Sequence, residues 1–225
     1  MKVLALESST VYASVAITDD EPLFVQSWLA GRDHSRTLAP SVQHALAACA
    51  MEPRDLDGIA VSVGPGSYTG IRVGMSLAKG MALPLGLPLA GVSTLYVLAL
   101  ACGSSSGPIC PVVPAGAGHV AIAVYAGPWP LQEDMPARSV SFAEAASLIP
   151  NGALLCGPGA ADIPIPAHAS YAPASLNIPS AAFVATAAEP VLRSDSEATD
   201  LFSVTPNYLR PSSAEERLVG TGVTS

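Results

Sequence analysis

Residues 63–74, Val63-Gly64-Pro65-Gly66-Ser67-Tyr68-Thr69-Gly70-Ile71-Arg72-Val73-Gly74, constrain the fold more than any other part of the chain. Three glycines and a proline fall within seven residues of one another, between an apolar run at 58–63 and a long apolar helical pattern. A strand that ends in such a turn and feeds a helix N-terminus gathers free backbone N–H groups in one place. The same turn lets two backbone segments approach closely. It is not a Walker A loop, because Ile71-Arg72 stands where Gly-Lys-Ser/Thr is required. Nor is it a dinucleotide fingerprint, because Thr69 takes the third glycine position and Gly70 comes one residue late. The residues alone leave open whether the turn binds an anion or only joins strand to helix.

The helix pattern after the turn is apolar on two sides. Ile71, Met75, Ala78, Ala82 and Leu85 make one stripe; Val73, Gly74, Leu77 and Met81 make a second. Arg72, Ser76 and Lys79 form a narrow polar strip between them. A helix apolar on two sides is covered on two sides. We read the second stripe as an oligomer or partner interface, with Gly70 and Gly74 letting another helix come close. The alternative is that a neighbouring helix at 37–49 covers it within the same molecule.

Half of the 225 residues are apolar and 12% are charged, which describes a folded chain with a substantial core. The net charge is −8, with eight acids and six bases in residues 1–100 and ten acids and four bases beyond. Neither part offers the basic face that nucleic-acid backbones require, so direct, strong nucleic-acid binding by the chain alone is not expected. The longest apolar helical stretch, 73–89, is interrupted by Lys79, Pro84 and Gly86, and no membrane span is expected. Residues 1–7 read as a first strand rather than a signal peptide, which points to the cytoplasm. Cys49, Cys102, Cys110 and Cys156 read as buried small hydrophobes. His34, His44, His119 and His168 form no metal-ligand pair, so no metal site is expected.

Along the chain, strands are predicted at 2–7, 11–18 and 23–28, joined by polar turns. A helix from Ser35 or Thr37 to Cys49 follows, starting late or kinking at Pro40. Then come a strand at 59–63, a helix at 70–83, a strand at 89–92, and a helix capped by Ser93 or Thr94 and running to about Cys102. The tract at 103–108 marks a boundary. A second cycle has strands at 109–113, 119–125 and 138–140, and a Ser141/Glu144 capping box opening a helix to about Ile149. It continues with a strand at 153–156 closed by Gly157-Pro158-Gly159, and a helix capped by Ser180, running through Ala188 and closed by Pro190. Residues 211–225 carry no apolar period and are expected to fray. The two cycles share a β-β-β-α-β-α plan, which gives mixed sheets flanked by helices and two related lobes around a cleft. The expected divisions are an N-terminal lobe at 1–102, a smaller, reduced C-terminal lobe at 109–205, and a C-terminal strand and tail at 206–225.

Taken together, the sequence resembles the TsaB (YeaZ) family, the dimerisation subunit of the bacterial tRNA threonylcarbamoyladenosine machinery. The matching residues are Leu4-Ala5-Leu6-Glu7-Ser8-Ser9, His34-Ser35 with Leu38 and Pro40, the block at 64–74, Gly91-Val92-Ser93-Thr94-Leu95, and Pro206-Asn207-Tyr208-Leu209-Arg210. The resemblance implies an ASKHA (actin, sugar kinase and Hsp70-like) α/β fold, with two lobes of RNase H-like topology. It implies a non-catalytic scaffold that binds the catalytic paralogue TsaD through the helices of its N-terminal lobe. TsaD transfers a threonylcarbamoyl group to N6 of the adenosine beside the tRNA anticodon, and a TsaE-like ATPase joins the assembly. The chain alone is expected to form a homodimer and to hold no cofactor, ATP and magnesium entering only in the complex. Where the family commonly shows an Asp-Ala-Arg segment, this chain has Pro114-Ala115-Gly116-Ala117-Gly118, so no role of that Asp or Arg carries over. The alternative reading is an active nucleotide-dependent ASKHA transferase or a glycoprotease-like peptidase.

Two residue groups follow as candidates. Glu7, Ser8, Ser9, Gly64, Gly66, Ser67, Thr69 and Gly70 form the glycine turn and any anion contact. His34, Leu38, Val42, Leu46, Arg72, Val73, Gly74, Leu77 and Met81 form the partner interface. Glu7 stands where ASKHA enzymes place a metal-coordinating Asp, although a capping or salt-bridge role is favoured. Arg72 lies in a first helical turn, where a cation opposes the helix dipole. It therefore calls for an acidic partner: Glu7, Asp33 or a residue of another chain. Tyr208 and Arg210 are expected to dock the C-terminal segment on the first lobe.

Overall fold

A computed structural model describes residues 1–103, 106–194 and 201–210. The first sheet and its helices are β1 (Lys2–Glu7), β2 (Tyr12–Asp19), β3 (Glu21–Leu29), α1 (His34–Ala48), β4 (Gly58–Gly64), α2 (Tyr68–Leu85), β5 (Leu89–Ser93) and α3 (Thr94–Ala101). The second set is β6 (Ile109–Gly116), β7 (His119–Ala126), β8 (Gln132–Ser141), α4 (Phe142–Leu148), β9 (Leu154–Cys156), β10 (Ser170–Tyr171) and α5 (Ala181–Arg193). The sheet orders are β3-β2-β1-β4-β5 and β8-β7-β6-β9-β10, the same path twice. This is the expected ASKHA architecture of two RNase H-like lobes. After β9, where the first lobe has α2, the second has only a single 3₁₀ turn at Ala160–Asp162.

β1 lies at the centre of the first sheet, antiparallel to β2 (Leu4 opposite Ile17) and parallel to β4 (Leu4 opposite Ile59). Its alternate side chains feed two cores, as the two-residue period of a strand dictates. Leu4 and Leu6 pack with Leu38, Val42, Ile59 and Val61 under α1 and α2. Val3 and Ala5 pack with Ala16, Ala60 and Ala90 under α5, which answers with Ala181, Val184, Ala185 and Ala188. Small side chains on both surfaces let α5 lie close to the sheet.

The helices cross between lobes, and here the expected boundaries need correction. α5 falls within 109–205 but covers the first sheet. α3, in the N-terminal range, turns Leu95, Leu98 and Ala99 onto Ile109, Val113, Ala121 and Ala123 of the second sheet. Each lobe is thus closed by an element that the linear division assigns to the other or leaves at the border. Residues 201–210 contain no strand, so the expected C-terminal strand is absent there; 211–225 lie outside the described residues, as do Ser104 and Ser105 of the boundary tract.

Two prolines do less than expected. α1 begins at His34 and passes through Pro40, and α5 passes Pro190 to end at Arg193. Each helix loses a hydrogen bond at its proline. Buried side chains on both sides, Leu38 and Val42 in α1 and Ala188 and Leu192 in α5, hold the axis across the gap. The edge strand β10 carried no sequence signal, being two exposed residues, and β8 is a ten-residue strand rather than the short one expected at 138–140. Cys110 and Cys156 are buried as expected, whereas Cys49 and Cys102 are only half-buried.

Because α3 and α5 join both cores, heating is expected to give one cooperative transition rather than two. Leu98→Ala empties a fully buried site. It should cost about 2–5 kcal/mol and lower that single Tm by roughly 5–15 °C in differential scanning calorimetry.

Candidate functional site

The turn that follows β1 organises the region. Glu7 is fully buried, and its Oε1 accepts from the Ser9 N–H at 2.6 Å and the Ser9 hydroxyl at 2.5 Å. Thr94 Oγ1, at the start of α3, donates to Ser9 Oγ at 2.8 Å. Burial pushes the Glu7 carboxyl above its ordinary 4.5, and the two Ser9 hydrogen bonds offset this only in part. The buried Ser62 hydroxyl on β4 lies beside the carboxyl and lowers its pKa as well. Glu7 is therefore a buried acid that caps its own turn. The capping role was legible in the sequence; Ser62 and Thr94, more than fifty residues away, were not.

The glycine turn sits directly on this structure. The Gly64–Pro65 bond is cis, and Ser67 caps α2, its hydroxyl accepting from the Gly70 N–H at 3.2 Å. The Ser67 N–H donates to Ser9 O at 2.6 Å, and Ser8 Oγ donates to Gly70 O at 2.9 Å. At Gly66 the backbone has φ +153° and a side chain would run into Ser9 O. A Cβ on Gly70 would meet Ser8 O, and one on Gly74 would meet Ser8 Oγ. The turn is thus a close backbone contact between α2 and the end of β1. This corrects two expectations. Gly70 and Gly74 admit the chain's own β1 turn, not another helix. The anion-contact group does not converge on an open cradle, since Glu7, Ser8, Ser9, Gly64 and Gly70 are buried and only Ser67 and Thr69 are exposed.

Between the lobes lies a cavity of about 440 Å³. Its first-lobe wall is Ser9, Thr10 and the turn at 65–68; its second-lobe wall is Val113, Pro114, Ala115, Gly116 and Pro158. The segment 207–210 lies in it. Asn207 N donates to Val63 O at 2.8 Å. Tyr208 stacks on Tyr68 with ring centroids 4.6 Å apart, and Arg210 donates to Gly116 O at 3.2 Å. The segment therefore straps the two lobes together, where docking on the first lobe alone was expected. The second-lobe wall offers no polar side chain, and Glu7 is sealed beneath its turn. Among the described residues no three His, Cys, Asp or Glu side chains gather as a metal-binding group.

Arg72 is partnered differently from either acid named as a candidate within the chain. Glu7 is sealed away, and Asp33 pairs with Arg36 at 3.5 Å. Arg72 Nε donates to Tyr208 Oη at 2.9 Å, and its guanidinium carbon lies 3.9 Å from the centre of the Tyr68 ring.

The expected interface residues divide by burial. His34, Leu38, Val42 and Leu46 are core residues of α1, with His34 Nε2 3.4 Å from Tyr12 O. Gly74 is buried against Ser8. Val73, Leu77 and Met81 are half-buried and pack on the first core, so α1 does cover part of the second stripe. An open groove of about 540 Å³ remains between α1 and α2, lined by Ser35, Ala39, Thr69, Arg72, Ser76 and Leu77 among others.

Comparison with known proteins bears on this arrangement. A family model described as TsaD, tRNA N6-adenosine threonylcarbamoyltransferase, matches residues 28–128. The tRNA threonylcarbamoyladenosine biosynthesis protein TsaB of Escherichia coli is 37% identical over 99 residues, covering 44% of this chain and 43% of that protein. The protein of the same name from Bacillus subtilis is 35% identical over 127 residues, covering 56% and 55%. The chain is similar to TsaB proteins over this region. It spans about half the length of these curated relatives. YeaZ from Pseudomonas aeruginosa shares the fold across both lobes, with a TM-score of 0.76 at 22% identity, covering 92% of this chain and 99% of that one.

The buried Glu7 gives a pH signature. A carboxyl whose pKa is raised by folding favours the native state while it is protonated, and that contribution is lost as pH rises through the native value. Glu7→Gln keeps the acceptor for Ser9 and removes the ionisation. Its Tm should exceed that of the wild type by a few degrees at pH 7, with the gap closing toward pH 4.5 in parallel thermal melts. Gly74→Leu drives a side chain into Ser8. It should destabilise the isolated monomer by roughly 3 kcal/mol or more, read as a lowered urea midpoint.

Proposed function

We propose that the chain is a cytoplasmic subunit of the machinery that makes tRNA threonylcarbamoyladenosine, acting as a non-catalytic scaffold for a TsaD-like catalytic subunit. The observation that carries this is the α1–α2 pair with its open groove. The TsaD-family match spans residues 28–128 and so includes both helices, which means that a TsaD-like partner brings a related pair of its own. Two related surfaces can meet about a pseudo-twofold axis, each helix pair filling the other's groove. Alone, the chain uses the same face for a homodimer. A TsaE-like ATPase joins the assembly, and tRNA is held by the partners, since this chain carries only 10 Lys and Arg against 18 Asp and Glu.

The apolar second-lobe wall and the sealed Glu7 support a chain that does no nucleotide chemistry in its own cleft. ATP and magnesium then act only in the assembled complex. The same features weigh against an active ASKHA transferase or a peptidase.

Co-expression with the TsaD-like protein of the same cell tests the reading. A stable complex eluting together from size exclusion is expected, and threonylcarbamoylation of tRNA by the TsaD-like subunit should require it. Calorimetry of the isolated chain with magnesium ATP should give no heat of binding at 100 μM ligand, an order of magnitude above which binding would be weak on an ordinary micromolar scale. Separate elution of the two proteins, or full tRNA modification without this chain, would overturn the proposal.

A further inference from the structure

The charge on the α1–α2 face is opposite to that of the chain. α1 and α2 contain Arg36, Arg72 and Lys79 and no Asp or Glu at all. The whole chain carries −8. Arg72, Ser76 and Lys79 lie on one strip of α2 at i, i+4 and i+7, and Arg36 follows Ser35, which lines the groove with Arg72 and Ser76. Asp33, just before α1, answers Arg36 at 3.5 Å on the exposed surface. Among the described residues no carboxylate pairs with Arg72. Its close partners among the described residues are neutral rings: Tyr208 Oη on Nε, Tyr68 beneath the guanidinium plane and the Tyr208 ring at 5.8 Å.

These contacts fix the guanidinium without neutralising it. Tyr68 and Tyr208 stack on each other, and Asn207 ties the segment carrying Tyr208 to β4, so the Arg72 side chain is held at the mouth of the groove by two elements. A fixed guanidinium presents a planar fork suited to a carboxylate. Covering it with an apolar surface would leave a desolvated charge without a partner, which is strongly unfavourable. An occupant of the groove that brings an acid is therefore favoured over one that does not.

We propose that the α1–α2 face is a cationic docking surface for an acidic helical face of the TsaD-like subunit, and that Arg72, held by Tyr68 and Tyr208, anchors a partner carboxylate. This deepens the scaffold reading and rests on it. A second copy of this chain presents the same three cations, so self-pairing through this face sets like charge against like. The hetero-complex is then favoured over the homodimer by electrostatics as well as by fit, through a repulsive element in the competitor. Tyr208 acts as a positioning residue: it touches Arg72, not the partner.

Titration of the wild type and variants against the TsaD-like subunit at 50 and 300 mM NaCl tests this, with sedimentation of the chain alone under the same conditions. Wild-type hetero-association should weaken several-fold as salt rises, while self-association stays constant or strengthens. Arg72→Met, at an exposed position, should leave the Tm unchanged and lower the affinity for the partner at least about tenfold, with a flatter salt dependence. Arg72→Lys should recover part of the affinity, and Tyr208→Phe, which keeps the ring and loses the hydroxyl, should give a smaller loss through Arg72. If the wild type does not bind the TsaD-like subunit at all, the scaffold reading falls and this inference with it. If the wild type binds but Arg72→Met binds equally well, or salt has no effect, the scaffold reading stands and the anchor is overturned. Self-association that weakens with salt as steeply as hetero-association would overturn the proposed discrimination.

Discussion

The contact between the glycine turn and the end of β1 is the constraint on which the rest of the structure depends. Gly66, Gly70 and Gly74 bring the start of α2 against the backbone and hydroxyl of Ser8 and Ser9 closely enough to exclude a Cβ. That approach fixes the direction of α2 and, through it, the groove shared with α1. It also seals Glu7 beneath Ser9, where burial keeps the carboxyl from ionising easily. One packing decision thus makes the carboxylate at the end of β1 a structural acid. The same turn that looks suited to a phosphate uses its Ser67 and Gly70 amides to hold itself together.

From that joint the two lobes are linked three times. α3 passes under the second sheet, α5 returns to cover the first, and the segment 207–210 crosses the cleft at its mouth. The strap reaches Val63 and Tyr68 on one lobe and Gly116 on the other. Its Tyr208 also touches Arg72, so the element that bridges the lobes sets the geometry of a charged group that lines the groove. Cleft and docking face are mechanically connected through a few side chains.

Much of this was legible because it is local. Period-two patterns in 2–7 and 11–18, the glycine turn and the Ser141/Glu144 box each carry their structure within a few residues, and the repeated order of elements gave the two lobes. The failures have equally definite causes. Pro40 and Pro190 looked like helix ends because the local cost is visible and the compensating burial of Leu38, Val42, Ala188 and Leu192 is not. The interface list mixed residues of the α1 core with residues of the groove, because a helical stripe does not say whether its cover belongs to the same molecule. Gly74 illustrates the point: a small residue on a helix invites any close neighbour, and here the neighbour is Ser8.

By itself the sequence determined most of the order of elements, the doubled plan, the family resemblance and the absence of acids from the two helices that flank the groove. Those follow from residue type and spacing along the chain, which folding does not alter. Only the tertiary structure decided that the glycines face inward, that α5 covers the opposite lobe, that Glu7 is sealed beside Ser62 and Thr94, and that Arg72 meets Tyr208 rather than a carboxylate. Each of those depends on groups more than fifty residues apart arriving at one place, and no local pattern encodes which of several compatible surfaces will be the one that meets them.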